Sequence, residues 1–282
     1  MTDYSVVRDQ WGRPFVTTDG GPLQFKEGRK TPINAVGYTR VSTLAGVLDD
    51  KENLAPWKAA MTAIGVVREP SVYAQLGSLM SKHKDPWNSA KYQMKQLVER
   101  AQQAASSDDG SGKGTAFHEF TEVVDEGRWP EFLPPALEPW LTAYAERIAE
   151  YDILLAEGFV VVDELQAAGS FDKLMRHKET GVIRIGDLKS GKSDPLYPMK
   201  AMIQFAAYAH GELYDQSTGE RKPVHPDIDL KEALLIHAPI RSELDAYCKV
   251  YPVDIEAGWE YAKLAVKVSA ARKATKKALV AV

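Results

Sequence analysis

The sequence predicts an α/β fold, a central mixed β-sheet flanked by helices, with a helical region on its N-terminal side. Three observations predict it. The first half carries long segments with helical spacing of apolar residues. A block of short runs, several rich in β-branched residues and separated by turns, begins at Ile153. After that block, a helical segment, further strand-like runs and a closing helix follow in turn. Helices on either side of a sheet are a stable way to bury both of its faces.

Taken in order, PFVTTDGGPLQFKE (14–27) reads as a hairpin around Asp19-Gly20-Gly21. A helical pattern begins at Ser42, with Ser42 or Thr43 as its cap, and continues with breaks to about Val67. Ser89 to Ala105 reads as a helix capped by Ser89, with Met94, Leu97, Val98 and Ala101 on one face. SSDDGSGKG (106–114) reads as a flexible loop. Thr115–Glu126 and about Pro135–Tyr151 read as two further helices. ILLAE, FVVVDELQ, GSFDKLMR and VIRIGDLK then read as strands. A helix is expected from about Pro195 to Leu213, strands at 233–240 and 246–253, and a basic helix from Ile255. This organisation predicts an accessory region over 1–88 and a core over 89–282.

Composition bounds the function. The chain has 282 residues, 44% hydrophobic and 26% charged, as in ordinary globular proteins. No apolar run approaches the ~20 residues that span a bilayer. The polar start MTDYSVVRDQWGRPF lacks the apolar core of a signal peptide. A cytoplasmic protein without a membrane partner is expected. Cys248 is the single cysteine, which excludes an internal disulfide and a four-cysteine zinc or iron–sulfur site. The net charge of −4 argues against a protein that merely coats nucleic acid, but not against a local basic patch.

GDLKSGKS (186–193) matches the phosphate-loop pattern. That loop needs a helix starting at its Gly-Lys-Ser. Pro198 would fall inside such a helix, where proline costs about 3 kcal/mol. A helix starting at Pro195, with Ser193 or Asp194 as cap, fits better. The string FVVVDE (159–164) precedes the loop rather than following it. The same stretch also reads as a strand carrying Asp187 and Lys189. A hairpin turn centred between Glu179 and Thr180 sets Asp172 opposite Asp187, with Cβ atoms about 4.5–5.5 Å apart. Two carboxylates so close call for a divalent cation with oxygen ligands. Lys189 lies two residues beyond Asp187 and shares its face. A one-residue slip would undo the arrangement.

A strand-borne acid followed by Asp-x-Lys on the next strand resembles the signature of the PD-(D/E)XK nuclease superfamily. Further motifs occur in the order of its RecB-type branch. GTAFHEF supplies His118 on a helix, and LLAEGFVVVDE supplies Glu157 or Glu164. GSFD supplies Gly169 and Asp172, GDLK supplies Asp187 and Lys189, and QFAAYAH supplies Gln204 and Tyr208. The motifs span residues 114–210. STLAGVLDDKENLAPWKA (42–59) also resembles the N-terminal helical region of phage-encoded exonucleases and their CRISPR-associated relatives. The chain lacks the iron–sulfur cysteines of the latter.

The resemblance implies a restriction-endonuclease-like core and a Mg²⁺- or Mn²⁺-dependent DNA exonuclease. Its partners would be linear DNA ends and a single-strand annealing protein. By resemblance, His118, Asp172, Asp187 and the Leu188 carbonyl hold the metal. Carboxylates and a carbonyl suit Mg²⁺, and an imidazole admits Mn²⁺. Lys189 would act on the attacking water or the transition-state charge. Gln204 and Tyr208, four apart on one helix, would hold phosphate or support Lys189. Glu157 is the supporting acid, with Glu164 the other choice. Glu119 and Glu122 read as exposed helix face, and Trp57 and Trp87 as core or as base-stacking groups. Lys113, Lys192, Lys263, Lys267 and Lys273 are candidate DNA contacts, the last three on a basic helix that also holds Arg272, Lys276 and Lys277. A DNA-binding module without activity, a structure-specific endonuclease and a nucleotide hydrolase using Gly186–Ser193 are the alternatives.

Overall fold

The computed structural model describes residues 6–49, 52, 54–106, 111–191, 197–240, 245–275 and 278. The strands are β1 (Phe15–Thr17), β2 (Ala35–Gly37), β3 (Thr39–Arg40), β4 (Tyr151–Val162), β5 (Ala167–His177), β6 (Ile183–Lys189), β7 (Glu212–Tyr214), β8 (Arg221–Pro223), β9 (Glu232–His237) and β10 (Lys249–Asp254). The helices are α1 (Val41–Ala45), α2 (Leu54–Arg68), α3 (Pro70–Lys82), α4 (Pro86–Ser89), α5 (Lys91–Ser106), α6 (Ser111–Asp125), α7 (Glu138–Ile148), α8 (Met199–Ala209) and α9 (Ile255–Ala274). The chain divides into two compact units, Met1–Asp49 with Phe117–Val282, and Asp50–Ala116. This division differs from one at residue 88. Val41, Leu44 and Ala45 of α1 join the main core, whereas Leu97 and Ala101 of α5 pack with Val72 of α3.

The larger unit is built on a mixed sheet ordered β10-β9-β6-β5-β4-β7-β8, with β3 pairing β5. The β6–β9 and β3–β5 pairs are parallel and the others antiparallel. Helices cover both faces. On one, Phe117 of α6 and Trp140, Leu141 and Tyr144 of α7 pack with Met175, Leu188 and Ile236. On the other, Leu44 of α1, Ile203 and Phe205 of α8 and Ile255 and Ala262 of α9 pack with Val160, Leu174 and Ile185. Each such fully buried side chain contributes roughly 1.5–3 kcal/mol. With both faces covered, β5 and β6 read as near-continuous apolar runs, so polar groups within them stand out.

Several elements depart from the sequence reading. β1 pairs with β2, not with residues 22–27, so the turn at Asp19 opens a long loop to Asn34. Asp19 holds that loop by accepting from Gly21 N at 3.1 Å and from both its oxygens' partner, Asn34 Nδ2, at 3.0 and 3.1 Å. Helix α1 is preceded by Arg40 and has no side-chain cap, so neither Ser42 nor Thr43 caps it. Ser89 ends α4, where its hydroxyl donates to Asp85 O at 2.6 Å, instead of capping α5. α6 begins at Ser111, inside the segment expected to be loop; residues 107–110 lie outside the described set. α8 begins at Met199 after Pro198, four residues later than expected, and ends at Ala209, because Glu212 and Leu213 pair with β4 as β7. Helices α3 and α4 and strands β2, β3, β7 and β8 have no counterpart in the sequence reading. ILLAE and FVVV form one strand, β4, irregular between Ile153 and Leu155.

In the smaller unit, α2, α3 and α5 enclose Val72, Leu97 and Ala101. Met94, Leu97, Val98 and Ala101 do share the inward face of α5. Trp57 and Trp87 are about half exposed and belong to no core cluster; the Lys91 ammonium lies 5.3 Å over the Trp87 ring.

Candidate active site

The site forms where the β5–β6 ladder ends. The two strands pair in the register set by a turn at Glu179–Thr180, the last pair of the ladder being Lys173 with Gly186. Asp172 and Asp187 are the next opposed positions in that register. There the Leu188 N–H donates to Asp172 Oδ2 at 3.0 Å. Asp187 is 2% exposed in the central strand β6. Its Oδ2 forms an ion pair with the Lys189 ammonium, two residues along the same strand. Burial first, and then the neighbouring Asp172 charge, push the Asp187 carboxyl up to about 6, against the pull of Lys189.

Helix α8 lies against this edge. Gln204 Nε2 donates to the Tyr208 hydroxyl at 2.9 Å, the contact that an i, i+4 pair on one helix allows. Tyr208 is buried, and its hydroxyl pKa is raised by burial and by the charges of Asp187 and Asp172. Gly169 makes room for it. A Cβ there would lie 3.4–3.5 Å from the Tyr208 ring and hydroxyl and 3.3 Å from Val41 Cβ. The Gly-x-x-Asp and Gln-x-x-x-Tyr patterns therefore belong to one packing unit.

His118, on α6, is half-buried. Burial lowers its pKa, opposed by the Asp172 charge and reinforced by Lys189 and Lys173. It thus sits within electrostatic reach of the acid pair. Among the described residues, no three His, Cys, Asp or Glu side chains stand at metal-ligand spacing. The Asp172 carboxylate accepts from Leu188 N, and Asp187 is ion-paired with Lys189, although its buried Oδ2 accepts no hydrogen bond among the described residues. The donor set of two adjacent carboxylates with an imidazole in electrostatic range suits Mg²⁺ or Mn²⁺ in chemistry.

Glu157 occupies the β4 position opposite Asp172, between the pairs Ala156–Lys173 and Gly158–Phe171, and takes φ +53°. Left-handed backbone at a non-glycine strand residue costs of order 1–3 kcal/mol. Glu164 lies beyond β4, in a short 3₁₀ turn at Asp163–Leu165, and acts electrostatically on His210 instead. Glu122 is partly buried rather than exposed; its pKa is raised by burial and by the Glu157 charge. Glu119 is exposed.

Sequence reasoning missed a buried neighbour of the site. Lys173, next to Asp172, forms an ion pair with Asp125 at the end of α6, and the Tyr144 hydroxyl donates to Asp125 Oδ1 at 2.6 Å. Burial raises the Asp125 pKa, and Lys173 opposes that rise. The signal was a lysine inside the apolar run FDKLM, where a charge demands a partner.

The basic candidates are scattered. Lys263 pairs with Glu260 and lies 5.9 Å from the Trp259 ring, while Lys267 and Lys273 are exposed on α9. Lys113 falls in the first turn of α6; its side chain, and Lys192 entirely, lie outside the described residues. No described helix is long and apolar enough to cross a membrane. No protein-family model and no curated protein matches the chain.

Proposed function

We propose that the protein is a metal-dependent DNA exonuclease with a restriction-endonuclease-like core of the RecB type. One observation carries this reading. Asp172 and Asp187 come side by side at the open end of a ladder, with Lys189 against Asp187. An acid pair, Asp187 buried and Asp172 half-buried, with a lysine beside it fits phosphodiester hydrolysis.

Asp172 and Asp187 would hold Mg²⁺ or Mn²⁺, joined by His118 and the Leu188 carbonyl. When bound, such an ion supplies charge to the phosphate and acidifies water. With Asp187 committed to such an ion, the Lys189 ammonium would be free to orient water and to offset the charge that develops on the phosphate. Tyr208, fixed by Gln204, bounds the site on the α8 side. Glu157, opposite Asp172, adds negative charge beside that acid and strengthens its hold on a cation. The basic groups Lys263, Lys267, Lys273, Lys113 and Lys192 would track the DNA backbone. A single-strand annealing partner and a role in phage recombination rest on the motif resemblance.

The nucleotide-hydrolase reading fits less well. Gly186 to Lys189 are part of strand β6, and α8 starts at Met199, so its N-terminus is remote in sequence from Gly191. End-labelled linear double- and single-stranded DNA, incubated with Mg²⁺ or Mn²⁺, tests the proposal. Wild type should degrade it, Asp187→Ala should not, and Lys192→Ala should still cut, with somewhat weaker DNA binding. Metal-independent loss of DNA, or none in any form, would overturn the reading; ATP turnover lost in Lys192→Ala would restore the phosphate loop.

A further inference from the structure

The segment RDQWGR (8–13) forms a tight turn beside the site. Asp9 builds it. Its carboxylate accepts from Trp11 N at 2.9 Å, Arg13 N at 2.8 Å and Arg13 Nε at 2.7 Å. Gly12 takes φ +74°, and its N–H donates to Asp9 O at 2.9 Å. The one acid of the turn is thereby committed to Arg13.

Arg8 and Arg40 are left without such a partner. Arg8 Nη1 reaches only the Gly12 carbonyl, at 3.5 Å. The Arg40 guanidinium lies on the same glycine, 3.7–3.9 Å from where a Cβ would stand. Neither forms an ion pair among the described residues. Arg13, Arg128, Arg147, Arg176, Arg184 and Arg221 each meet a carboxylate; Arg68 and Arg100 are held by neutral oxygens, so what sets Arg8 and Arg40 apart is their convergence on one glycine. Two guanidiniums gathered on one peptide repel, and burial and Arg40 together lower the proton affinity of Arg8. An anion placed between them would remove that repulsion.

Their position says which anion. Arg40 pairs with Ala168 on β5, adjacent to Gly169, the residue that admits Tyr208. The Arg8 charge acts on the Tyr208 hydroxyl, which also senses Asp187 and Asp172. Trp11 is 67% exposed, with the Arg13 guanidinium 5.1 Å from its ring centroid. A forked donor pair matches phosphate oxygens, and an exposed indole offers a stacking surface to a base.

We propose that Arg8 and Arg40 form a clamp for a backbone phosphate of the DNA strand at the Tyr208 edge of the site, with Trp11 stacking on a neighbouring base. The clamp rests on the nuclease reading and adds how that site holds its substrate. It places the strand's grip on the N-terminal turn, not only on the lysines of α9.

The test is fluorescence anisotropy of a fluorescein-labelled single-stranded oligonucleotide in EDTA across a NaCl series, with Mg²⁺-dependent digestion run in parallel. Each phosphate contact to a single strand contributes about 0.7 to the slope of log K against log salt. Arg8→Gln/Arg40→Gln, which loses the one clamped phosphate, should therefore bind more weakly at low salt, with a slope shallower by about 0.7. Its melting temperature should not fall, since both side chains are exposed and their mutual repulsion is removed. Trp11→Ala should weaken binding at wild-type slope. Arg176→Gln, a carboxylate-paired arginine at the other end of β5, should bind as wild type. If wild type binds and cuts while the double variant keeps wild-type affinity and slope, the clamp is overturned and the nuclease reading stands. If wild type neither binds nor cuts, both fall.

Discussion

Among the described residues two lysine–aspartate pairs lie close together, Asp125–Lys173 and Asp187–Lys189, and they differ in how their charge is closed off. In the Asp125–Lys173 pair the side chains are 2% and 4% exposed. Tyr144 takes the second oxygen of Asp125, and the Lys173 ammonium lies 5.7 Å from the Tyr144 ring. Charge and hydrogen bonds close on themselves. In the Asp187–Lys189 pair the acid is equally sealed at 3%, but the lysine is 44% exposed, and a second carboxylate, Asp172, stands beside it. That pair carries an unbalanced negative charge with a movable cation at its mouth. A sealed, balanced pair can only hold the fold. An unbalanced pair opening to solvent can exchange its lysine for a ligand.

The largest effect should come from breaking the sealed pair. Lys173→Met strands the buried Asp125 charge and should cost about 3–5 kcal/mol of stability, read by chemical denaturation. Adding Asp125→Asn should recover much of the loss. Lys189→Met should show the opposite profile. Its activity on labelled DNA should fall ~10²-fold or more, with a smaller stability loss than Lys173→Met.

The acid pair gives a pH signature. Asp187 is raised to about 6 in the folded protein, so the folded state holds its proton more tightly than the unfolded chain. In EDTA, stability from this group is complete below about pH 4 and is lost as pH rises through about 6. Asp187→Asn should flatten that part of the profile and exceed wild type by about 1–3 kcal/mol at pH 8. Tyr208→Phe should have the smallest effect. It removes the bond from Gln204 and should cost about 1 kcal/mol in thermal unfolding.

The strand block and its register were legible because β5 and β6 are joined by a short turn, and a short turn fixes which residues face each other. That placed Asp172 against Asp187 without any long-range information. The covered sheet was legible for a related reason, since β-branched runs between helical segments leave little choice of layer order. What escaped depends on distance in sequence. Asp125 and Lys173 are 48 residues apart, and no local pattern links the end of α6 to the centre of β5. β1 finds β2 across a long loop, and β7 is too short to outweigh the helical pattern running into it. Arg8 and Arg40 meet only because β3 joins β5 and Gly12 leaves space, neither of which local spacing reveals. That Glu157, and not Glu164, stands opposite Asp172 follows from the β4–β5 register, which a long, irregular strand does not announce.

The contrast between the pairs is tested most directly by Asp187→Asn and Asp125→Asn side by side, measuring melting temperature in EDTA and digestion of end-labelled DNA with Mg²⁺ or Mn²⁺. Asp187→Asn should melt at or above wild type and leave the DNA intact. Asp125→Asn should melt lower and still cut while folded. Cutting at the wild-type rate by Asp187→Asn, or a fold lost with Asp187 and untouched by Asp125, would contradict the assignment of one pair to chemistry and the other to the scaffold.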